Sequence, residues 1–243
     1  MISNMDNGWQ TSAGAWIADM GEQGDFGRRY VLDRIMLPRA LAQRPRNALD
    51  VGCGEGRFCR MLRQHEIHAI GIDPTPALIA AARVRDEGGQ YLEAQAERLP
   101  FNDRSFDLVV SYLSLIDIPD LAAAIGEMVR VLRPGGTLLI ANLNGFNTAC
   151  SRAGGIDNYL EERAIRIQYR GIRVVNHHRP LRSYMRALLA AGLELRYFDE
   201  PEPGVDAPAE KATAYRRAPW FLVMEWMKPA SQIRDALGQA ATA

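Results

Sequence analysis

The sequence predicts an α/β protein built on an open, doubly wound, mostly parallel sheet with helices on both faces. Three observations predict it. From residue 47 to 142, short apolar runs alternate with segments whose apolar residues recur every three or four positions. The runs are continuously apolar, as strands buried on both faces of a parallel sheet are. The first of them leads straight into "GCGEG", three alternate glycines ahead of a helical pattern. Right-handed crossovers then place a ligand crevice at the carboxyl ends of the strands.

In chain order, "NALDV", "HAIGID", "QYLEA", "FDLVVS" and "GTLLIAN" have strand length and no helical spacing. Between them "EGRFCRMLRQH", "TPALIAAARVR" and "LAAAIGEMVRVL" read as helices. The second has Thr75 as N-cap and Pro76 at the first helical position, where a missing N–H costs nothing. The third is expected to stop at "RPGG", where Pro134 cannot continue a helix and the glycines turn the chain. After Asn142 the rhythm breaks. As a helix, residues 165–178 and their flank would carry Arg163, Arg166, Arg170 and Arg173 on one basic stripe. As a strand, Ile165, Ile167 and Tyr169 share one face, and Arg166, Gln168 and Arg170 the other. The β-branched residues and Gly171 favour a hairpin turning near Gly171. "LRSYMRALLAAGL" resumes a helix, and "LELRYF" and "WFLVMEWMK" read as strands. Residues 199–219, rich in Pro, Glu and Ala, are expected to form a loop, and the tail after Pro229 to be frayed or peripheral.

The 243 residues are enough to bury a core without disulfides or metal, roughly 70–75% of the unfolded surface for a chain of this size. The formal net charge is zero, so no global field draws nucleic acid or an anionic membrane. Cys53, Cys59 and Cys150 are odd in number and make no ligand set with the four histidines, which predicts a reducing, cytoplasmic location and no structural zinc. The N-terminus has no basic region before an apolar core, and no uncharged stretch reaches the ~18 residues of a membrane span. Neither a leader nor a membrane span is expected.

Three alternate glycines after a buried strand allow a sharp turn and a close ligand approach; a Cβ at Gly52 or Gly54 would take that space. A dinucleotide fingerprint needs its third glycine at position 57, which is Arg57, and the observed spacing is Gly52, Gly54, Gly56. The spacing therefore argues against NAD. Asp73, at the end of the second strand, is placed to accept two ribose hydroxyls.

Taken together, "LDVGCGEGRF", "GIDPTPALIAAAR", "AERLPFNDRSFDLVVS" and "RVLRPGGTLLIAN" resemble the Rossmann-like, class I S-adenosylmethionine-dependent methyltransferases of the small-molecule type. The resemblance spans residues 47–142. It implies a seven-stranded sheet whose last strand, 220–227, runs antiparallel. It also implies that Asp50, Gly52, Cys53, Gly54 and Gly56 surround the methionine part of the cofactor, with Asp73 and Pro74 at the ribose. Gln95, Ala96 and Glu97, ahead of "LPF", would reach the adenine. The family usually has Asp where Gln95 stands; the Gln amide oxygen can still accept from the adenine amino group, and the Ala96 N–H can serve the ring. Ser111, Tyr112 and Leu113 follow the fourth strand, where family members contact substrate and cofactor. "SAGAWIADMGEQGDFGRRYVLD" resembles a lid-forming arm in which Trp16 caps the site and Arg28 or Arg29 meets the cofactor carboxylate. The chain then divides into a helical arm (1–45), a cofactor-binding core (46–142), an inserted cap over the acceptor (143–180), the end of the sheet (181–228) and a tail (229–243).

Such an enzyme converts S-adenosylmethionine to S-adenosylhomocysteine without a metal, mostly by holding an acceptor in line with the methyl group. For a hydroxyl acceptor a histidine would raise the reactive fraction. "NHHRPL" offers His177 and His178 at the hinge of the cap, on alternate faces, and its likeness to small-molecule members favours His178. His65 and His68 read as structural. Tyr169, Arg166, Arg170 and Asn144 complete the substrate candidates; Asp117, after the fourth strand, is a weaker candidate because it also fits a cap of the next turn. No "NPPY" follows the fourth strand, which argues against amine methylation of DNA or glutamine. The expected reaction is O-methylation, ahead of N-methylation, of a small molecule, with oligomeric state open. An RNA or protein methyltransferase and a silent cofactor-binding protein are the alternatives, the former resting on the arginines of the insert.

Overall fold

A computed structural model describes residues 7–149 and 158–230. Nine strands occur in it: β1 (Asn47–Val51), β2 (His68–Asp73), β3 (Gln90–Glu93), β4 (Phe106–Tyr112), β5 (Leu132–Leu143), β6 (Arg163–Tyr169), β7 (Ile172–His178), β8 (Glu194–Asp199) and β9 (Phe221–Met227). Seven form one sheet in the order β3-β2-β1-β4-β5-β9-β8, and β6 and β7 pair as a separate hairpin. The pairs among β1 to β5 are parallel, and β9 runs antiparallel to both β5 and β8. The strand order reverses between β1 and β4, so their following connections leave to opposite sides and open a crevice between their carboxyl ends.

Side chains alternate across the central strands, and each face builds its own core. Leu49, Val51, Val109, Leu138 and Ile140 point to the face covered by α5 (Leu121–Val131) and α7 (Leu181–Ala190). Ala48, Leu108, Val110, Leu139 and Ala141 point to the face covered by α2 (Asp33–Ala42), α3 (Arg57–Arg63) and α4 (Pro76–Arg85). Helix α5 buries Ala124, Ile125, Met128 and Val131, one face at helical spacing, and Asp120 caps it by accepting from Ala123 N at 3.0 Å. A cap of this kind contributes about 1 kcal/mol. Before α2 come α1 (Trp9–Met20) and a π-helical turn, Arg28–Leu32. The short α6 (Gly145–Ala149) and α8 (Ala209–Tyr215) complete the helices among the described residues.

The hairpin turns through Arg170 (φ 45°) and Gly171 (φ 84°), two left-handed residues between Tyr169 and Ile172. Positive φ at both central positions suits the twist of the flanking strands. Helix α5 ends at Val131, ahead of "RPGG", and Gly135 turns at φ 79° where the register of β5 on β4 jumps from Leu132 to Thr137. Gly135 N donates to Lys228 O while Lys228 N donates to Gly136 O, so the residue after β9 holds this bulge to the sheet. One expectation needs correction. Within the expected loop 199–219, "AEKATAY" forms α8, because good helix formers follow Pro208 and Ala212 finds a buried contact. Tail residues 231–243, arm residues 1–6 and insert residues 150–157 lie outside the described residues.

Candidate active site

The glycine loop closes the end of β1. Gly52 N and Cys53 N both donate to Ile72 O, which bends the chain across the end of β2. All three glycines have positive φ, 78°, 55° and 80° at Gly52, Gly54 and Gly56. What their missing Cβ atoms make room for is protein. A Cβ on Gly52 would lie 2.3 Å from Ser114 Cβ, one on Gly54 2.9 Å from the Trp16 ring, and one on Gly56 2.6 Å from the Tyr91 ring. Ser114 and Trp16 themselves line the cavity, so side chains at Gly52 and Gly54 would press on its wall.

Two carboxylates stand beside the loop. Asp73 accepts from Gly54 N at 3.0 Å and Thr75 N at 2.9 Å, so it fastens the loop to the start of α4. Burial raises its pKa, and the hydrogen bonds from Thr75 and Gly54 pull it back. Thr75 occupies the cap position of α4, but it serves Asp73 instead of capping the helix with its side chain. Asp50 is buried; its Oδ2 meets Cys59 Sγ at 3.6 Å and its Oδ1 has no partner. Burial pushes Asp50 up to about 7, with the Cys59 contact opposing and Asp73 adding to the rise. An unpartnered buried carboxylate oxygen is costly unless a donor or cation arrives to meet it.

Both groups line a cavity of about 870 Å³. Cys53, Gly52 and Gly54 form its floor, and Pro74, Gln95, Ala96 and Glu97 line the side toward β2 and β3. Tyr112 and Leu113 line it from the end of β4, Leu113 in the left-handed region at φ 60°. The roof is made of two pieces of chain. From the arm come Trp9, Trp16 and Arg28; from the hairpin come Ala164, Arg166, Val175 and His177. The pieces are fastened together: Ser12 Oγ bonds both N and O of Arg173, Val175 N donates to Asn7 O, and Arg170 pairs with Asp19 at 2.5 Å. Arg28 is held by Asp25 at 2.9 Å and lies over the Trp16 and Tyr112 rings.

Seven of the residues expected at the site lie off the cavity. Gly56 packs on Tyr91, and Ser111 is buried with its Oγ 2.7 Å from Ser114 Oγ. Arg29 stacks on Tyr30 and lines a separate, smaller hollow with Phe26 and Lys211. Asn144 is buried and donates to Glu200 at 2.6 Å. Strand alternation turns Tyr169 to the hairpin face opposite Arg166, and the hairpin turn commits Arg170 to Asp19. The same alternation decides between the histidines. His178 faces away from the cavity and is buried, with Nδ1 2.6 Å from Thr148 Oγ1 and Nε2 2.9 Å from Tyr159 O. A carbonyl only accepts, so Nε2 carries the proton and both ring nitrogens are engaged. His177 reaches the cavity; burial, then Arg179, lowers its pKa.

One residue of the cavity wall and one behind it were undervalued by their sequence. Asp117 is a lining residue whose Oδ1 accepts from Asn176 Nδ2 at 2.6 Å. Arg179 is buried and donates to the carbonyls of Leu115, Ile118 and Pro119 at 2.7–3.0 Å. The signal was "HRPL": its value lies in the arginine, which clamps the loop after β4, and not in the histidine before it.

Sheet order, glycine loop and paired acids define a doubly wound α/β protein with a cavity at the strand switch point. Comparison with known proteins makes this specific. A family model described as a methyltransferase domain matches residues 49–140. An S-adenosylmethionine-dependent methyltransferase structure from Mesorhizobium loti is 26% identical, with a TM-score of 0.67 over 78% of this chain and 96% of that one. Malonyl-[acyl-carrier protein] O-methyltransferase from Serratia marcescens is 33% identical over 54% of this chain and 49% of that protein. Demethylmenaquinone methyltransferase from Thermus thermophilus is 36% identical over 47% of this chain and 55% of that protein. The chain spans about half the length of these curated relatives. Its fold is that of the Rossmann-like S-adenosylmethionine-dependent methyltransferases, and residues 49–140 match a methyltransferase domain.

Proposed function

We propose that the protein transfers a methyl group from S-adenosylmethionine to a small-molecule acceptor, at oxygen in preference to nitrogen. The observation that carries this reading is a single cavity with two unlike ends. At the floor, the unpartnered Asp50 Oδ1 calls for a cationic donor such as an α-ammonium, and Arg28 suits the carboxylate beside it. Asp73 lies where ribose hydroxyls can donate to it, and Gln95 and Ala96 where an adenine edge would come. These residues fit S-adenosylmethionine, which supplies an electrophilic methyl group on a sulfonium when bound. At the roof, Trp9, Ile118 and Val175 give an apolar wall, with Arg166, Asp117 and His177 as polar points. The volume suits a nucleoside cofactor with a small acceptor, within the ~300–1,000 Å³ common for such sites.

The protein's own share of the chemistry is position and exclusion of water, which can account for ~7–11 kcal/mol of a barrier. Of the two histidines, only His177 has access to the acceptor end. In this reading residues 46–142 hold the cofactor, and the arm of 1–45 and the insert of 143–180 enclose the acceptor. The protein works in the cytoplasm without metal or nucleic acid. Among the described residues no three His, Cys, Asp or Glu side chains gather as a metal site, and no helix is long and apolar enough to cross a membrane. The relatives are named for unlike acceptors, a carrier-protein-bound malonyl group and demethylmenaquinone, so the acceptor has to come from experiment. Calorimetry is expected to show S-adenosylhomocysteine binding and none of NAD, and methyl-labelled S-adenosylmethionine to label a metabolite in a small-molecule extract. NAD binding in place of S-adenosylhomocysteine would end this reading.

A further inference from the structure

We propose that the roof end of the cavity takes an acceptor bearing a phenol- or enol-class hydroxyl, and that Asp117 receives that hydroxyl's proton. The proposal rests on the methyl-transfer reading above and adds the substrate class and the proton's destination. Asp117 sits in the loop that leaves β4 at the strand switch point, on the cavity wall beside Ile118 and Pro119. Among the described residues it makes no ion pair; its partners are the neutral side chains of Asn176 and Trp9. A half-buried carboxyl with neutral partners only has no cation to offset its loss of water.

The backbone around it is fixed with unusual completeness. Arg179 and His177 hold the two carbonyls before Asp117 and the two after it: Leu115 O at 3.0 Å, Ile116 O from His177 N at 2.6 Å, Ile118 O at 2.7 Å and Pro119 O at 2.8 Å. Asn176 then fixes one carboxyl oxygen. Four residues in a row, 176–179, thus contribute three that serve the placement of one acid, the arrangement expected of a group that must meet a reacting atom. Trp9, Val175 and Ala164 beside it favour an aromatic or otherwise flat apolar body.

As the acceptor O–H bond breaks, its proton passes to the Asp117 carboxylate. The oxygen's electron pair forms the bond to the methyl carbon, and the carbon–sulfur pair stays on sulfur as the sulfonium charge is discharged. The proton then leaves Asp117 for water, so each turnover releases one. The groups facing Asp117 are Asp73 and Asp50 across the cavity, Arg28 from the arm, Arg166, His177 and the Tyr169 hydroxyl from the hairpin, and Arg179 behind the loop. Burial pushes Asp117 up to about 7, against the hydrogen bonds of Trp9 and Asn176, whereas His177 is pushed below its usual value. Of the two, Asp117 is therefore the stronger base and the better matched to neutral pH.

The test needs no knowledge of the natural acceptor. Protein saturated with S-adenosylhomocysteine is titrated calorimetrically with 2-naphthol and, separately, with its methyl ether, at about pH 5.5 and about pH 8.5, either side of the carboxyl's range. The naphthol is expected to bind roughly tenfold or more tighter at the higher pH, where Asp117 is an ionised acceptor, and the ether equally at both. Asp117→Asn should remove the pH dependence and His177→Gln should keep it. Equal behaviour of naphthol and ether in the unaltered protein overturns the proposal, as does a pH dependence that follows His177, or no saturable binding of either probe. The unaltered protein alone decides the first of these, whatever Asp117→Asn does to folding. Titration with S-adenosylhomocysteine by itself reads the methyl-transfer assignment separately, and the naphthol pair can be run on the free protein if it fails.

Discussion

The floor and the roof of the cavity are built on different principles. The floor is made by strand ends and the turns that follow them, so Asp50, Gly52, Gly54 and Asp73 lie within 24 consecutive residues and meet because β1 and β2 are adjacent. The roof gathers Trp9, Leu113 to Pro119, Ala164 to Arg166 and Val175 to Arg179 from across the chain. The floor is set by topology and varies little in what it can hold. The roof is set by side-chain and backbone clamps between segments far apart in sequence, and it can change acceptor without disturbing the floor. Substitutions at the two ends should therefore separate cofactor affinity from acceptor recognition.

The largest effect is expected at the floor. Asp73→Ala removes the acceptor of Gly54 N and Thr75 N as well as the proposed ribose partner. Each buried donor left unmet costs ~1–3 kcal/mol, so S-adenosylhomocysteine affinity should fall by roughly ten- to a hundredfold or more, with a lower Tm. An unchanged Kd in calorimetry would remove Asp73 from the cofactor site and break the division between the two ends.

Next in size is a pH effect at Asp50. Its pKa in the free protein is pushed up to about 7, and an ammonium group beside it would lower that value. Below about 7 the cofactor must displace a proton, so affinity should rise with pH, by about tenfold per unit at most, and level off above 7. Asp50→Asn should give a weak, flat profile. Folding carries the opposite sign. Because the folded pKa lies above the ordinary carboxyl value of 3.8, protonation favours the fold, and this group's contribution declines as pH rises from 3.8 toward 7. Free Asp50→Asn protein should accordingly lose less Tm than the parent between about pH 5 and about pH 8. A pH-independent Kd in the parent protein would show that Asp50 meets no cation.

The same division explains what could be read from the sequence. The parallel strands and the residues of the floor were legible because each signal is local: an apolar run, three glycines, an acid at a strand end. Even there, the sequence could not show that the glycines make room for Ser114, Trp16 and Tyr91, since those contacts join distant segments. The roof was legible only in outline. "NHHRPL" pointed to the right place, but the choice between His177 and His178 depends on which face of β7 meets the cavity, and that follows from the pairing with β6. Asp117 was only a weak candidate in the segment after the fourth strand; its surroundings are set by Asn176 and Arg179, some sixty residues away. Residues 209–215 were misjudged for a simpler reason, the proline-rich segment before them masking a short helix.

The smallest expected effects lie in the hairpin, where two arginines four residues apart should behave differently. Arg166 lines the cavity mouth, on the face shared with Val175 and His177. Arg170 sits in the turn and reaches Asp19 on the outside of the roof, an exposed guanidinium whose pairing stabilises little because water screens it. Arg166→Gln is expected to raise the acceptor KM with kcat and S-adenosylhomocysteine Kd unchanged, because it removes a binding contact at the roof alone. Arg170→Gln should leave all three and the Tm within error. The pair also discriminates the runner-up reading. An RNA-binding stripe would use both arginines, and its affinity would fall with salt by a slope of about −0.7 per phosphate neutralised. With zero net charge and only Arg166 turned into the cavity, the hairpin is suited to one anionic group on a small acceptor. If both substitutions weakened a tight, salt-sensitive RNA complex equally, the contrast between the two arginines would fail, and the small-molecule reading with it.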